Sequence, residues 1–162
     1  MNPRQLVLLI CHANTCRSVI AEHLLRRELA RSGLDTRWEV RSGGIAAYAR
    51  DGALVSLDAR LVLREEGIEL PEEAVSTDLK RHRQLVERAH LILAMTQAQL
   101  AMLRETFPES HGKPAFTWKG FAGREGDIDD PYGRDTDAFV HCRNEIKESL
   151  PEVVRRLAQG AF

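Results

Sequence analysis

The residues best equipped for chemistry stand together near the start of the chain: Cys11-His12-Ala13-Asn14-Thr15-Cys16-Arg17-Ser18, a cysteine, five residues, then arginine and serine. A loop that curls over one turn before a helix aims successive N–H groups inward. Those amides and the helix dipole stabilise a phosphate dianion. The same field stabilises a thiolate at Cys11, and the Ser18 hydroxyl adds a hydrogen bond to it. Arg17 carries a planar fork that grips two equatorial phosphoryl oxygens at once, which a lysine cannot do. The chemistry this pattern serves is thiolate attack on phosphorus. Cys11 is then the nucleophile, Arg17 the transition-state clamp, and His12, Ala13, Asn14, Thr15, Cys16, Arg17 and Ser18 the phosphate cradle. As a bare spacing, the pair reads more readily as a buried core thiol and an ordinary first-turn arginine. The flanking elements and a downstream acid select the catalytic reading.

Expulsion of the leaving group needs a proton, hence one carboxylic acid on a movable segment. Asp130-Pro131 offers it, because proline holds the preceding residue extended and so aims its carboxyl group. By pattern alone, Asp127, Asp129 and Asp130 also read as a solvated acidic turn, and their crowding favours a proton on one of them.

The elements that must position these groups follow from hydrophobic periodicity. Gln5 to Ile10 is a continuous apolar run, as in a strand buried on both faces, and it delivers Cys11 at its end. From Arg17, the residues Ile20, Ala21, Leu24, Leu25 and Leu29 recur at helical spacing up to Gly33. Thr36 to Arg41 reads as a second strand ending at Ser42-Gly43-Gly44, and His90 to Met95 as another buried strand. Helices are expected over Leu57 to Glu66, Leu79 to Arg88 and Gln97 to Thr106, with a short strand over Ala74 to Thr77. A C-terminal helix runs from Phe139 and bends near Pro151. The Gly- and Asp-rich segment from Gly120 to Arg134 is the longest without regular pattern, a candidate lid. Alternation of strand and helix implies a parallel sheet with helices on both faces and a ligand site beyond the carboxyl ends of its strands.

At 162 residues, residues 1–162 make one domain, with 43% hydrophobic and 29% charged residues as in a soluble globular protein. A net charge of -1 gives no general pull toward nucleic acid or acidic membrane. No apolar run is long enough to span a bilayer, and the start Met1-Asn2-Pro3-Arg4 lacks a signal-peptide pattern, so a cytoplasmic location is expected. Three cysteines argue for thiol chemistry over a disulfide framework. His12, Cys11 and Cys16 crowd into one loop without the paired spacing of a zinc module, so no metal is assigned. Cys142 falls on an apolar helix stripe and reads as core.

The segment Cys11 to Ser18 followed by Ala21-Glu22 resembles the signature of the low-molecular-weight protein tyrosine phosphatases. Ser42-Gly43-Gly44, Leu91-Ile92-Leu93-Ala94-Met95 and Asp130-Pro131-Tyr132-Gly133 match in order, over nearly the whole chain. The resemblance implies a flavodoxin-like three-layer α/β fold with a four-stranded parallel sheet, and no metal or cofactor. It also implies a cysteinyl-phosphate intermediate, a phosphorylated protein as substrate, and Asp130 as general acid. By the same resemblance Asn14 pairs with Ser42 to support the loop, and Cys16 can form a reversible disulfide with Cys11, a reading that stands beside that of a buried structural thiol. Tyr48 and Tyr132 flank the pocket entrance.

Thr15 occupies a position that is usually a larger aliphatic residue in tyrosine-specific members. With Met95-Thr96 and a single aromatic after Pro131, it resembles the protein arginine phosphatase branch, whereas Tyr48 looks like the aromatic wall of tyrosine-specific relatives. Both substrates stay open, with a lean to phosphoarginine. Ala13, Val19 and Gly43 replace the usual glycine, proline and alanine, and no histidine near Ala74 supports Asn14. Two other functions compete: arsenate reductase, for which Cys142 alone is a poor relay, and a non-catalytic phosphoprotein-binding module. A cognate protein kinase is left open.

Overall fold

The computed structural model describes residues 3–162; Met1 and Asn2, on which the reading of the start partly rests, lie outside the described residues. Four parallel strands form the sheet: β1 (Gln5–Cys11), β2 (Trp38–Gly44), β3 (Leu91–Ala94) and β4 (Ala115–Thr117), in the spatial order β2-β1-β3-β4. Six helices connect or follow them: α1 (Arg17–Arg31), α2 (Leu57–Arg64), α3 (Arg83–Arg88), α4 (Gln97–Thr106), α5 (Trp118–Phe121) and α6 (Thr136–Gln159).

The central strand explains the layers. In β1, Val7, Leu9 and Cys11 face one core, which α1, α2, α5 and α6 complete through Leu24, Val62, Trp118 and Ile146. The alternate residues Leu6, Leu8 and Ile10 face the other, closed by Leu85 and Val86 of α3, Leu103 of α4 and Phe107. A period of two along a strand thus supplies both cores. Leu6 to Ile10 are completely buried, and each such side chain contributes about 1.5–3 kcal/mol. Two indoles fasten α6 to the sheet side: Trp38 Nε1 donates to the Leu157 carbonyl and Trp118 Nε1 to the Ile146 carbonyl, each at 3.1 Å.

After β2 the chain returns to the opposite side of β1 to form β3, so the strand order reverses at the carboxyl end of β1. That switch point is where open parallel sheets leave a crevice for ligands. It is occupied by the Cys11 loop.

Several boundaries differ from the sequence reading. Ala74 to Thr77 forms no strand; only single bridges, Leu54 with Val75 and Gly44 with Asp78, tie this region to its neighbours. The helix expected over Leu79 to Arg88 is broken at His82, which is not helical (φ -135°, ψ 49°), leaving a 3-10 turn over Leu79–Arg81 before α3. Thr36 belongs to a 3-10 turn ahead of β2. The final helix starts earlier than Phe139, at Thr136, where the Asp135 carboxylate accepts from Ala138 N–H, and it continues through Pro151. Gly120 and Phe121 lie in α5 rather than in the irregular segment. Among the described residues no helix is long and apolar enough to cross a membrane.

Candidate active site

Strand β1 ends at Cys11 and α1 begins at Arg17, so the residues between them turn over the amino end of a fifteen-residue helix. The backbone can bend this tightly because of Asn14. It has φ +62°, the one left-handed non-glycine among the described residues, and asparagine tolerates that region through local hydrogen bonding. Ala13 lies outside the left-handed region, so its Cβ in place of the family's glycine brings no backbone strain. Gly44 lets the next strand close in: a Cβ there would stand 2.7 Å from the His12 carbonyl oxygen. The backbone N–H groups of Ile45 and Ala46 reach the Cys11 and His12 carbonyls at 3.0 and 3.1 Å.

The Asn14 side chain is the node of the loop. Its Nδ2 donates to Ser18 Oγ and to Ser42 Oγ, both at 2.9 Å, and its Oδ1 accepts from Thr77 N–H at 2.9 Å. The Thr77 backbone supplies the support that no nearby histidine does. Ser42 in turn donates to the Glu22 carboxylate, which Arg26 pairs at 2.6 Å. The Asn14–Ser42 pairing is thus present in the geometry. Gly43 leaves room for Leu79, whose side chain an added Cβ would strike.

Cys11 Sγ sits at the floor of this ring, 2.8 Å from Ser18 Oγ and 3.2 Å from the Asn14 N–H that donates to it. Arg17 shares the pocket. Its Nη1 donates to the Ile128 carbonyl at 2.9 Å, its Nη2 lies 3.2 Å from His12 Nδ1, and Asp130 Oδ2 is 3.7 Å from Nη2. The Asp130 side chain is half exposed, and its Oδ1 accepts from Tyr132 N–H at 3.0 Å, a turn that spans the buried Pro131. Asp127 is directed elsewhere: it accepts from Gln97 N–H at the start of α4, where an anion suits the helix dipole.

A pocket of about 580 Å³ joins these groups, lined by Cys11, Arg17 and Asp130 with Thr15, Tyr48 and Tyr132 among its walls. Tyr48 and Tyr132 stand 70% and 74% exposed at its mouth. All the residues assigned from sequence to the nucleophile, clamp, acid, cradle and walls therefore meet in one place, with Ser42 behind them.

Four features were not foreseen. Leu54 and Ser56 line the pocket too, and Ser56 N–H donates to the Thr15 carbonyl. The Ile128 carbonyl anchors Arg17. Gln99 is completely buried and reaches His12 from α4. The last had a visible trace in sequence, since Thr96-x-x-Gln99 is a capping-box pattern, and that box is formed.

All three cysteines are free. Burial pushes the Cys16 thiol up to about 11, against hydrogen bonds from Thr15 and Ser56 that pull it down. Burial likewise pushes Cys142 up to about 12, in the core between α6 and its neighbours. Neither thiol is activated by its surroundings as a nucleophile. Among the described residues no group of three or more His, Cys, Asp or Glu side chains is arranged to hold a metal ion.

Comparison with known proteins gives a consistent picture. The model of the low molecular weight phosphotyrosine protein phosphatase family matches residues 6–161. A protein-arginine-phosphatase of Geobacillus stearothermophilus is 35% identical over 152 residues, covering 93% of this chain and 95% of that protein. The low molecular weight protein-tyrosine-phosphatase Etp of Escherichia coli K12 is 29% identical, covering 94% and 95%. Among solved structures, YwlE arginine phosphatase, as a cysteine-to-serine mutant with a phosphorylated active site serine, superposes with a TM-score of 0.84. It is 31% identical and covers 95% of this chain and 96% of that one.

Proposed function

Because this chain belongs to the low molecular weight phosphotyrosine protein phosphatase family, and is therefore a protein phosphatase, we propose that Cys11, Arg17 and Asp130 carry out its reaction, with phosphoarginine as the preferred side chain. The observation that carries the assignment is the sulfur of Cys11. It lies at the floor of a pocket, hydrogen-bonded to Ser18 and to the Asn14 amide, with the Arg17 guanidinium in the same wall.

The turnover has two steps. The Cys11 thiolate attacks phosphorus and a thiophosphate bond forms as the P–N or P–O bond to the leaving group breaks; Asp130 gives that group its proton. Asp130, now a carboxylate, takes a proton from water, whose oxygen attacks phosphorus and returns the thiolate with release of phosphate. Arg17 holds the equatorial oxygens in both steps. The loop amides and the amino end of α1 supply the remaining charge stabilisation.

Two features favour phosphoarginine. Thr15 lines the pocket where a larger aliphatic residue would narrow it, and the arginine phosphatase compared above is more similar than Etp, 35% against 29%. The exposed Tyr48 and Tyr132 rings suit either a phenyl ring or a flat guanidinium. Cys16, buried in the same loop, is the thiol we assign to reversible disulfide protection of Cys11. Reduced thiols are needed for turnover, so we place the enzyme in the cytoplasm, working against a cognate protein kinase that phosphorylates the same side chain. Cys142 is too deeply packed to relay electrons outward, which counts against arsenate reduction.

The test compares phosphoarginine and phosphotyrosine peptides in wild type and Thr15→Ile. Wild type is expected to favour phosphoarginine, and the variant to shift the ratio of kcat/KM toward tyrosine by about tenfold or more, the scale of a methylene-sized change in a pocket. An unchanged ratio overturns the role of Thr15. Binding of both peptides with turnover of neither would make the site a phosphoprotein-binding module.

A further inference from the structure

His12 belongs to the cradle through its backbone, yet its imidazole makes contacts that the cradle does not require. Nδ1 lies 3.2 Å from Arg17 Nη2 and 3.0 Å from Gln99 Nε2. A guanidinium has no acceptor atom, so Nδ1 must accept there. The Gln99 contact points the same way, for a reason that begins in another element. Gln99 Oε1 accepts from Met95 N–H at 2.9 Å and from Thr96 N–H at 3.2 Å, as the third residue of the α4 capping box. Those two bonds fix which end of the amide is oxygen, and so turn the NH₂ end toward His12.

Two donors of fixed identity therefore converge on one lone pair. We propose that His12 is a positioning residue for Arg17: its neutral imidazole, held in the Nε2–H tautomer by the capping glutamine of α4, accepts from the guanidinium and fixes it for the phosphoryl group. This rests on the functional reading above and adds a residue to it. Arg17 is thereby held at two nitrogens, Nη1 by the Ile128 carbonyl and Nη2 by His12. Of the five N–H groups of a guanidinium, two are engaged by the protein and three are left for phosphoryl oxygens. A charged imidazole would abolish the second hold and repel the fork. Burial and the Arg17 charge do hold His12 below the usual imidazole range, with Asp130 pulling the other way.

Three substitutions separate this from a packing role. His12→Phe keeps a ring and loses the acceptor. His12→Asn returns an amide oxygen close to the place of Nδ1. Gln99→Glu keeps the capping box, but directs a carboxylate oxygen at Nδ1 and so draws a proton onto it. With a phosphopeptide that wild type hydrolyses, His12→Phe should lose about tenfold to a hundredfold in kcat/KM, the cost of a misplaced clamp. Its affinity for inorganic phosphate should fall in parallel while its melting temperature stays near wild type. His12→Asn should recover most of the loss, and Gln99→Glu should resemble His12→Phe. Nitrogen-15 spectra should show His12 Nδ1 unprotonated in wild type and protonated in Gln99→Glu. Full activity in His12→Phe, no recovery in His12→Asn, or a protonated Nδ1 in wild type at neutral pH each overturns the proposal. If wild type hydrolyses no phosphopeptide, the functional reading fails instead, and the spectra and phosphate affinities still decide the role of His12.

Discussion

The pocket is built from two kinds of wall. The Cys11 loop is buried at Cys11, Asn14 and Cys16 and tied many times over: Asn14 alone joins it to α1, to β2 and to Thr77. The Asp130 segment, pinned by the buried Ile128 and Pro131, is otherwise exposed and held by few contacts, chiefly Ile128 N–H to the Met95 carbonyl, the Arg17 bond to the Ile128 carbonyl and the turn over Pro131. The difference follows from what each must do. A cradle for a dianion works by having its dipoles fixed before the ligand arrives. A proton donor and aromatic walls must let a peptide side chain in and let a product out. Changes at the buried backbone-bracing residues of the first wall, Asn14 above all, should cost rate and stability together, whereas changes in the second should cost rate or selectivity with the fold untouched.

The largest expected effect tests the buried wall. Arg17→Lys should lower kcat/KM by about a thousandfold or more on every substrate, because a point charge cannot replace a bidentate fork; a loss confined to one leaving group would place Arg17 on the wrong side of the comparison. Asp130→Asn should cost about a hundredfold or more, growing as the leaving group becomes more basic, with no change in melting temperature. A leaving-group-independent loss would mean that the acid lies elsewhere. Asn14→Ala removes three hydrogen bonds from a buried node and puts alanine in a left-handed conformation. It should lower stability by about 3 kcal/mol, read from urea unfolding, alongside a slower turnover. Tyr132→Ala, at the exposed mouth, should change stability by less than about 0.5 kcal/mol and act on KM. A cost equal to that of Asn14→Ala would erase the distinction between the walls.

The smallest effect concerns pH. Burial lowers both His12 and His23 below 6.5, with the charge of Arg17 adding to the shift at His12. The unfolded chain therefore binds more protons than the folded one between 6.5 and each lowered value, and stability must fall as pH drops through that window. The melting temperature should decline from about pH 7 to about pH 5, and less steeply in His23→Gln. An equal decline in that variant would remove His23 as a contributor.

The two walls are also unequally legible in the sequence. A buried strand, a cysteine at its end and a helical period starting at Arg17 are local signals, and together they suffice to place the cradle. The resemblance of Asp130-Pro131-Tyr132-Gly133 points to the proposed acid, but nothing near it announces that the Ile128 carbonyl anchors Arg17, a backbone contact across 111 residues. His12 and Gln99 are 87 residues apart and meet only because β1 and β3 are neighbours in the sheet. β4 is three residues long, too short for a period of two to show. The segment Ala74 to Thr77 has the composition of a strand, yet its backbone is used to brace Asn14 and Ala53 instead.

One consequence follows from β1, whose alternate residues enter both cores and whose last residue is Cys11. Partial openings of a protein spare the segments with the most buried partners, so the amides of this strand should be the slowest to exchange with deuterium. The proposed nucleophile is thus mounted on the last part of the molecule to come apart. On heating, phosphate binding at the Cys11 loop should persist until β1 protection is lost, even where loosening of the Asp130 segment has already cost turnover.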